Sequence, residues 1–319
     1  MWLPLGFMDA FIPKFLSSLR RDNPLPEGVN KWDTPLDGKT PTVLIHGTWL
    51  NAYNTWDYVA KNLIAAGHPV FAVNYGKDRS AFTGKAPGVY ANNFLRTSQQ
   101  EVAAFIDEVI ERTGAKKVHL VGHSQGVAQA RLYLSDSGGA DRADVARNKV
   151  DRLVGVGPAH HGTTLSGIST LGDKLDPNNK LAGFLEKFLG GAAIDQRVGS
   201  EFGDYLNRDG DTTPGVDYTM ITAKYDGIAT PRLKQVMVAG DGARVRNLSV
   251  QDGNPLDLSG HLAMLYSPRV VDLILEALEP GEDGPAAYRA AHPLKRGVVL
   301  PMMGEFRLPG RRGRRGRRA

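Results

Sequence analysis

The stretch "KKVHLVGHSQGVAQARLYL", residues 116–134, sets a serine between two glycines where an apolar run gives way to an amphipathic one. The run up to Gly122 reads as a buried strand and the residues after Ser124 as a helix, so Ser124 falls at a strand-to-helix turn. It is either a nucleophile held up for attack or a small polar residue in an ordinary turn. A chain with 37 glycines meets the pattern G-x-S-x-G by accident often enough that the motif alone does not decide. Its neighbours along the chain must.

On both sides of this stretch, apolar runs alternate with amphipathic ones, the signature of βαβ units and a mainly parallel sheet. "PTVLIHG" (41–47) predicts a buried strand, and "NTWDYVAKNLIAAG" (54–67) a helix capped by Asn54 or Thr55. The apolar stripe of that helix is Trp56, Val59, Ala60, Leu63 and Ile64. "VFAVNYG" (70–76) is the next strand, and "TSQQEVAAFIDEVIERTG" (97–114) a second helix. Later strands are expected at "VDRLVGVG", "VDYTMITA" and "VRNLSVQD", with a closing helix over 267–278. The predicted fold is α/β, a mainly parallel central sheet flanked by helices. An N-terminal arm spans 1–33, the main domain 34–280 and an extension 281–319, with an insertion at about 162–212 between the strands near 155 and 217. Within the insertion, Leu181, Phe184, Leu185, Phe188 and Leu189 recur at helical spacing. That face either packs on the core or lines a lid over an apolar substrate groove.

The 41% hydrophobic fraction belongs to a folded chain, and the absence of cysteine excludes disulfides, thiolate metal sites and cysteine nucleophiles. The net charge of +5 suggests nucleic acid and misleads, because six arginines lie in the closing "RRGRRGRRA" and the rest of the chain carries −1. This run reads as a solvated end, with peripheral contact to an anionic lipid surface as the alternative; no specific nucleic-acid contact is expected. "MWLPLGFMDAFIPKFLSSLRR" lacks a basic start and is interrupted by Asp9 and Pro13, so it makes a poor export signal and reads as an arm packed on the body. Contact with a membrane surface through Trp2, Phe7, Phe11 and Phe15 is the alternative.

In a parallel sheet, ligand chemistry collects at the carboxyl ends of the strands. Three polar residues are predicted there. Ser124 is one; Asp226 in "ITAKYDGIATP" follows the strand at 217–223; His261 in "SGHLAMLYSP" lies between the last strand and the last helix. The order Ser, Asp, His is that of an α/β-hydrolase. A serine hydroxyl needs a base to attack an acyl carbon, an imidazole supplies one, and a carboxylate holds the imidazole's tautomer. Backbone N–H groups of Thr48, in "HGTW", and of Gln125 would receive the oxyanion. Gly122 and Gly126 permit the tight turn, and His46, Gly47 and His123 shape it. Asp241, Asp252 and Asp257 compete for the acid, and His292 for the base. His160 and His161 adjoin without the carboxylate or cysteine that would complete a metal site, so they read as a structural pair. No cofactor is called for.

The runs "PTVLIHGTWLNAYNTWDYVAKNLIAAGHPVFAVNYG", "VHLVGHSQG", "VGVGPAHHGTTLSG", "RVGSEFGDYLNRDGDTTPGVDYTMITAKYDGIATP" and "GHLAMLYSP" resemble the class 2 triacylglycerol lipases of actinobacteria, collinearly over about residues 26–279. The resemblance implies an α/β-hydrolase that cleaves acylglycerols or related esters through an acyl-enzyme. It maps nucleophile, acid and base onto Ser124, Asp226 and His261, and the oxyanion donors onto Thr48 and Gln125. It also implies a secreted or envelope-associated protein, while the weak export signal leaves a cytoplasmic one open. Cysteines usual in such domains are missing from "GVNKWDTPLDG" and "SVQDGNP". An acyltransferase on a lipid or envelope acceptor, or a silent binding or envelope-anchoring module, are the rival readings.

Overall fold

A computed structural model of the chain describes residues 10–164, 180–281 and 284–306. Its centre is a six-stranded parallel sheet: β1 (Thr42–Ile45), β2 (Val70–Val73), β3 (Val118–His123), β4 (Val150–Val156), β5 (Asp217–Thr222) and β6 (Arg244–Ser249), in the spatial order β2-β1-β3-β4-β5-β6. The inner strands are Val-, Leu- and Ile-rich because helices cover both faces. Alternate residues of β1 show this. Leu44 enters a core with α2 (Ala52–Ala65) and α8 (Pro268–Leu278), whereas Val43 and Ile45 enter the opposite core with α3 (Leu95–Thr113) and α4 (Gln125–Asp136). The expected strands are all present, to within a few residues at their ends.

The strand order places a topological switch between β1 and β3. From β1 the chain moves outward to β2, then returns to β3 on the other side. The chain therefore leaves the carboxyl ends of β1 and β3 toward helices on opposite faces of the sheet, the place where α/β sheets gather ligand chemistry. "HGTW" and "HSQG" are the loops at those two ends.

Helix α2 begins earlier than its apolar stripe suggests. Its cap is Asn51, not Asn54 or Thr55: the Asn51 side chain accepts the Asn54 N–H (2.9 Å) while Asn54 Oδ1 accepts the Asn51 N–H (3.1 Å). The Asn51 amide also donates to Ser18 Oγ (3.0 Å) and to the Gly88 carbonyl (2.7 Å). A buried asparagine with these partners ties α2 to α1 (Phe11–Ser18) of the arm. Phe11 in that helix is buried edge-on against Tyr266, and Phe15 packs on the same core. Trp2 and Phe7 lie outside the described residues.

Between β4 and β5, α5 (Lys180–Leu189), α6 (Ala192–Asp195) and α7 (Glu201–Asn207) follow one another. Ala192, Phe202 and Leu206 pack against Leu95, Ala128 and Leu132 of α3 and α4. Of the proposed lid face, the side chains of Leu181, Phe184 and Leu185 lie outside the described residues. Phe188 stacks on Phe82 with ring centres 4.9 Å apart, and both rings are exposed.

Beyond α8, the chain forms α9 (Gly284–Ala291) and an antiparallel hairpin, β7 (Val298–Leu300) and β8 (Gly304–Phe306). Val299 is buried and exchanges backbone hydrogen bonds with Leu256 and Leu258, and the Met303 carbonyl accepts the Phe11 N–H (2.8 Å). Arg289 of α9 makes a two-pronged ion pair with the buried Glu276 (2.8 and 2.9 Å), which Arg246 of β6 also engages. The arginine-rich end lies outside the described residues.

The Asn51→Ala variant removes the cap and leaves the Asn54 N–H, Ser18 Oγ and the Gly88 carbonyl short of partners. A loss of about 1–2 kcal/mol is expected from the cap, read as a lower urea midpoint at unchanged m-value.

Candidate active site

Ser124 is the hinge between β3 and α4. Its backbone lies at φ 53°, ψ −118°, a conformation that costs a side-chain-bearing residue about 1–3 kcal/mol. The strain persists because both ends are fixed: the Ser124 N–H donates to the Val156 carbonyl (3.1 Å), and its own carbonyl accepts the Val127 and Ala159 N–H groups (3.2 and 3.3 Å). Gly126 and Gly122 make room. A Cβ on Gly126 would lie 2.1 Å from the Ile45 carbonyl oxygen, and one on Gly122 would lie 2.7 Å from the Gly126 carbonyl carbon. At Gly47, a Cβ would meet Ser124 Cβ at 3.0 Å. The turn after β1 thus packs directly on the serine.

Asp226 follows β5, and its carboxylate takes four hydrogen bonds. Oδ1 accepts the N–H groups of Ile228 (2.8 Å) and Ala229 (2.9 Å); Oδ2 accepts Gln235 Nε2 (3.1 Å) and stands 2.8 Å from His261 Nδ1. Burial pushes the carboxyl pKa up, but the imidazole charge and hydrogen bond of His261, with the two backbone donors, outweigh it and hold the group below its ordinary value. The carboxylate stays ionised, with its imidazole partner oriented through Nδ1. His261 is in turn pinned by its main chain, since His123 Nε2 lies 3.0 Å from its carbonyl oxygen and the two rings are 4.6 Å apart. His123 immediately precedes Ser124, so the imidazole loop docks on the strained turn itself.

The competing acids have other work. Asp257 is fully buried and binds the N–H and hydroxyl of Ser259 (2.9 and 2.5 Å) and the hydroxyl of Ser267 (2.8 Å), which fixes the loop around His261. Asp241 and Asp252 are exposed. His292 is exposed and stacks on Tyr288 in α9. Among the pair His160 and His161, His160 Nε2 lies 3.3 Å from the Val236 carbonyl oxygen, and His161 Nε2 lies 3.0 Å from Asp211.

The turn after β1 is held by side chains far apart in sequence. His46 is fully buried, stacked on Tyr75 with ring centres 4.6 Å apart, and burial lowers its pKa to about 4. The Tyr75 hydroxyl is shared between the His46 carbonyl (2.7 Å) and Gln125 Oε1 (3.0 Å). Gln125 Nε2 donates to the Ala91 carbonyl and to Thr48 Oγ1, both at 3.2 Å. Gln196, just after α6, donates to the same hydroxyl at 2.7 Å. Trp49 Nε1 donates to the Leu189 carbonyl (2.7 Å) at the end of α5. Gln125 is the first residue of α4, so its N–H is among the helix-start donors that have no partner within the helix. Tyr75, Gln196 and Gln235 carry no motif in the sequence; only the folded chain brings them here.

A parallel sheet crossed over at β1/β3, with a strained serine after β3, a carboxylate after β5 and an imidazole after the last strand, defines an α/β-hydrolase. Relatives agree. The chain belongs to the class 2 lipase family, whose model matches residues 39–264. It is 30% identical to the gastric triacylglycerol lipase of Bos taurus over 111 residues, 31% of this chain and 28% of the relative. It is 24% identical to the triacylglycerol lipase of Pseudarthrobacter phenanthrenivorans over 162 residues, 49% of this chain and 44% of the relative. The chain thus spans less than half the length of these curated relatives. Among solved structures, the fold is similar to Aspergillus fumigatus lipase B, with a TM-score of 0.64 at 20% identity over 88% of this chain and 61% of that one.

Burial keeps His123 neutral far below the ordinary imidazole range, and His46 down to about 4. In the unfolded chain both protonate near pH 6.5. Between pH 6.5 and 4 the unfolded state therefore binds more protons, and stability falls as the pH is lowered through that window. For His46 alone the full shift corresponds to about 3 kcal/mol. Urea midpoints measured from pH 7 to 4 should drop steeply, and His46→Asn should flatten the slope; a flat wild-type profile contradicts this.

Proposed function

We propose that the chain is a serine carboxylester hydrolase that cleaves acylglycerols or related acyl esters. The observation that supports this most directly is the 2.8 Å contact of Asp226 with His261 on a loop bonded to the residue beside Ser124. Ser124 Oγ attacks the acyl carbon and its proton passes to His261 Nε2. Asp226, kept ionised by its four hydrogen bonds, holds Nδ1 protonated and stabilises the imidazolium as it forms. The carbonyl oxygen becomes negative and is received by the N–H groups of Thr48 and Gln125. Collapse expels the alcohol, which takes the proton from His261, and leaves an acyl-Ser124 ester. Water, deprotonated by the same imidazole, releases the acid and restores the serine. Family membership supports an ester as the substrate.

Hydrolysis of a p-nitrophenyl ester series tests the reading. Ser124→Ala should abolish turnover and labelling by a fluorophosphonate probe, with the wild-type label recovered on the peptide containing Ser124. Asp226→Asn should lower kcat by about 10⁴-fold, because the amide favours the wrong tautomer. Equal turnover by wild type and Ser124→Ala removes the proposed nucleophile.

A further inference from the structure

We propose that Gln196 is a positioning residue for the oxyanion turn, and that it acts by forcing the Thr48 hydroxyl to donate; this rests on the ester-hydrolase reading above. A threonine hydroxyl has two lone pairs and one hydrogen. Two amide nitrogens reach Thr48 Oγ1, Gln196 Nε2 at 2.7 Å and Gln125 Nε2 at 3.2 Å. The orientation of each amide is set independently of Thr48. Gln196 Nε2 also donates to the Ala192 carbonyl (3.1 Å), and Gln125 Nε2 to the Ala91 carbonyl (3.2 Å), while Gln125 Oε1 faces the Tyr75 hydroxyl. A carbonyl accepts and never donates, so both nitrogens are where the hydrogens are. Both Thr48 lone pairs are therefore filled, and none of the described residues accepts its hydrogen. Thr48 is half-buried in the turn that packs on Ser124. Among the described residues its O–H is left for a substrate oxygen, the one that gains charge when Ser124 attacks. A third donor prepared in this way costs no reorganisation at the moment of reaction.

Gln196 can do this because its segment is bonded at several points to the turn and to the chain around it. Leu189 accepts from Trp49 Nε1 (2.7 Å) and from Thr83 Oγ1 (3.1 Å); the Ala192 N–H donates to the Asn92 carbonyl (3.1 Å); Asp195 accepts the Leu95 N–H (2.7 Å). The Gln196 carbonyl itself accepts the Thr163 N–H (2.8 Å). The end of α5 and Gln196 beyond it thus meet two successive residues of the turn, Trp49 and Thr48.

The test is steady-state hydrolysis of a soluble p-nitrophenyl ester by the full chain, with thermal melts in parallel. Gln196→Leu keeps the bulk and loses the donor, so kcat should fall about 10- to 100-fold with KM changed less than about threefold. Gln196→Glu should lose more, because a carboxylate captures the Thr48 hydrogen. Thr48→Val keeps the backbone N–H and removes the hydroxyl, and adding Gln196→Leu to it should cost nothing further. Unchanged kcat in Gln196→Leu, or losses that multiply in the double variant, overturn the proposal, as does a loss of kcat that only tracks a fall in melting temperature. Gln196→Met serves the same comparisons if Gln196→Leu does not fold. A wild-type chain that neither hydrolyses the ester nor labels at Ser124 overturns the underlying reading instead.

Discussion

The bare α-carbon of Gly126 sits where any side chain would collide with the Ile45 carbonyl, and much of the site follows from that approach. Helix α4 starts against the end of β1 instead of standing off from it. Ser124 must then cross from strand to helix in a single residue, at a backbone angle that extended or helical neighbours do not share. The same contact brings the turn after β1 onto the serine and puts the first N–H of α4 beside it. Parallel strands supply the platform, since all their carboxyl ends lie on one edge and every connecting loop that matters leaves from there.

On that platform the electrostatics divide cleanly. One carboxylate, Asp226, remains charged inside the protein because its hydrogen-bond capacity is filled by backbone, amide and imidazole donors. The imidazoles of His46 and His123 are in the opposite situation, buried without an anionic partner, and they remain neutral. Histidines a few ångströms apart thus take different parts: one faces a carboxylate through Nδ1, while others are packing groups that also pin carbonyls. Proximity to the serine does not distinguish them, but partners do.

Much of this was legible in the chain. The strands, their parallel arrangement and the helices between them follow from apolar periodicity, and so does the placing of Ser124, Asp226 and His261 after strands. What escaped was long-range side-chain bonding. Asn54 or Thr55 reads as the cap of α2 because the apolar stripe begins at Trp56, yet Asn51 is recruited by partners on the arm and at Gly88. Gln196 and Gln235 resemble any other glutamine in sequence, since nothing local says that one meets Thr48 and the other Asp226. Asp257 is a rival to Asp226 in sequence, though less directly at a strand's carboxyl end, and its bonds to Ser259 and Ser267 are visible only in three dimensions. The extension is rich in Gly, Pro and Arg, but Val299 is buried because a neighbouring loop offers it a backbone partner, which composition does not reveal.

That last contact bears on how the molecule comes into being. Protein synthesis proceeds from the amino terminus, and Ser124 and Asp226 leave the ribosome long before Val299 does. The loop carrying His261 gains its bonds from Leu256 and Leu258 to that strand only once Val299 has been made. A nascent chain therefore holds a serine and a carboxylate on a finished sheet while its imidazole loop still lacks a brace. The brace arrives only with Val299, after every strand of the six-stranded sheet has been made.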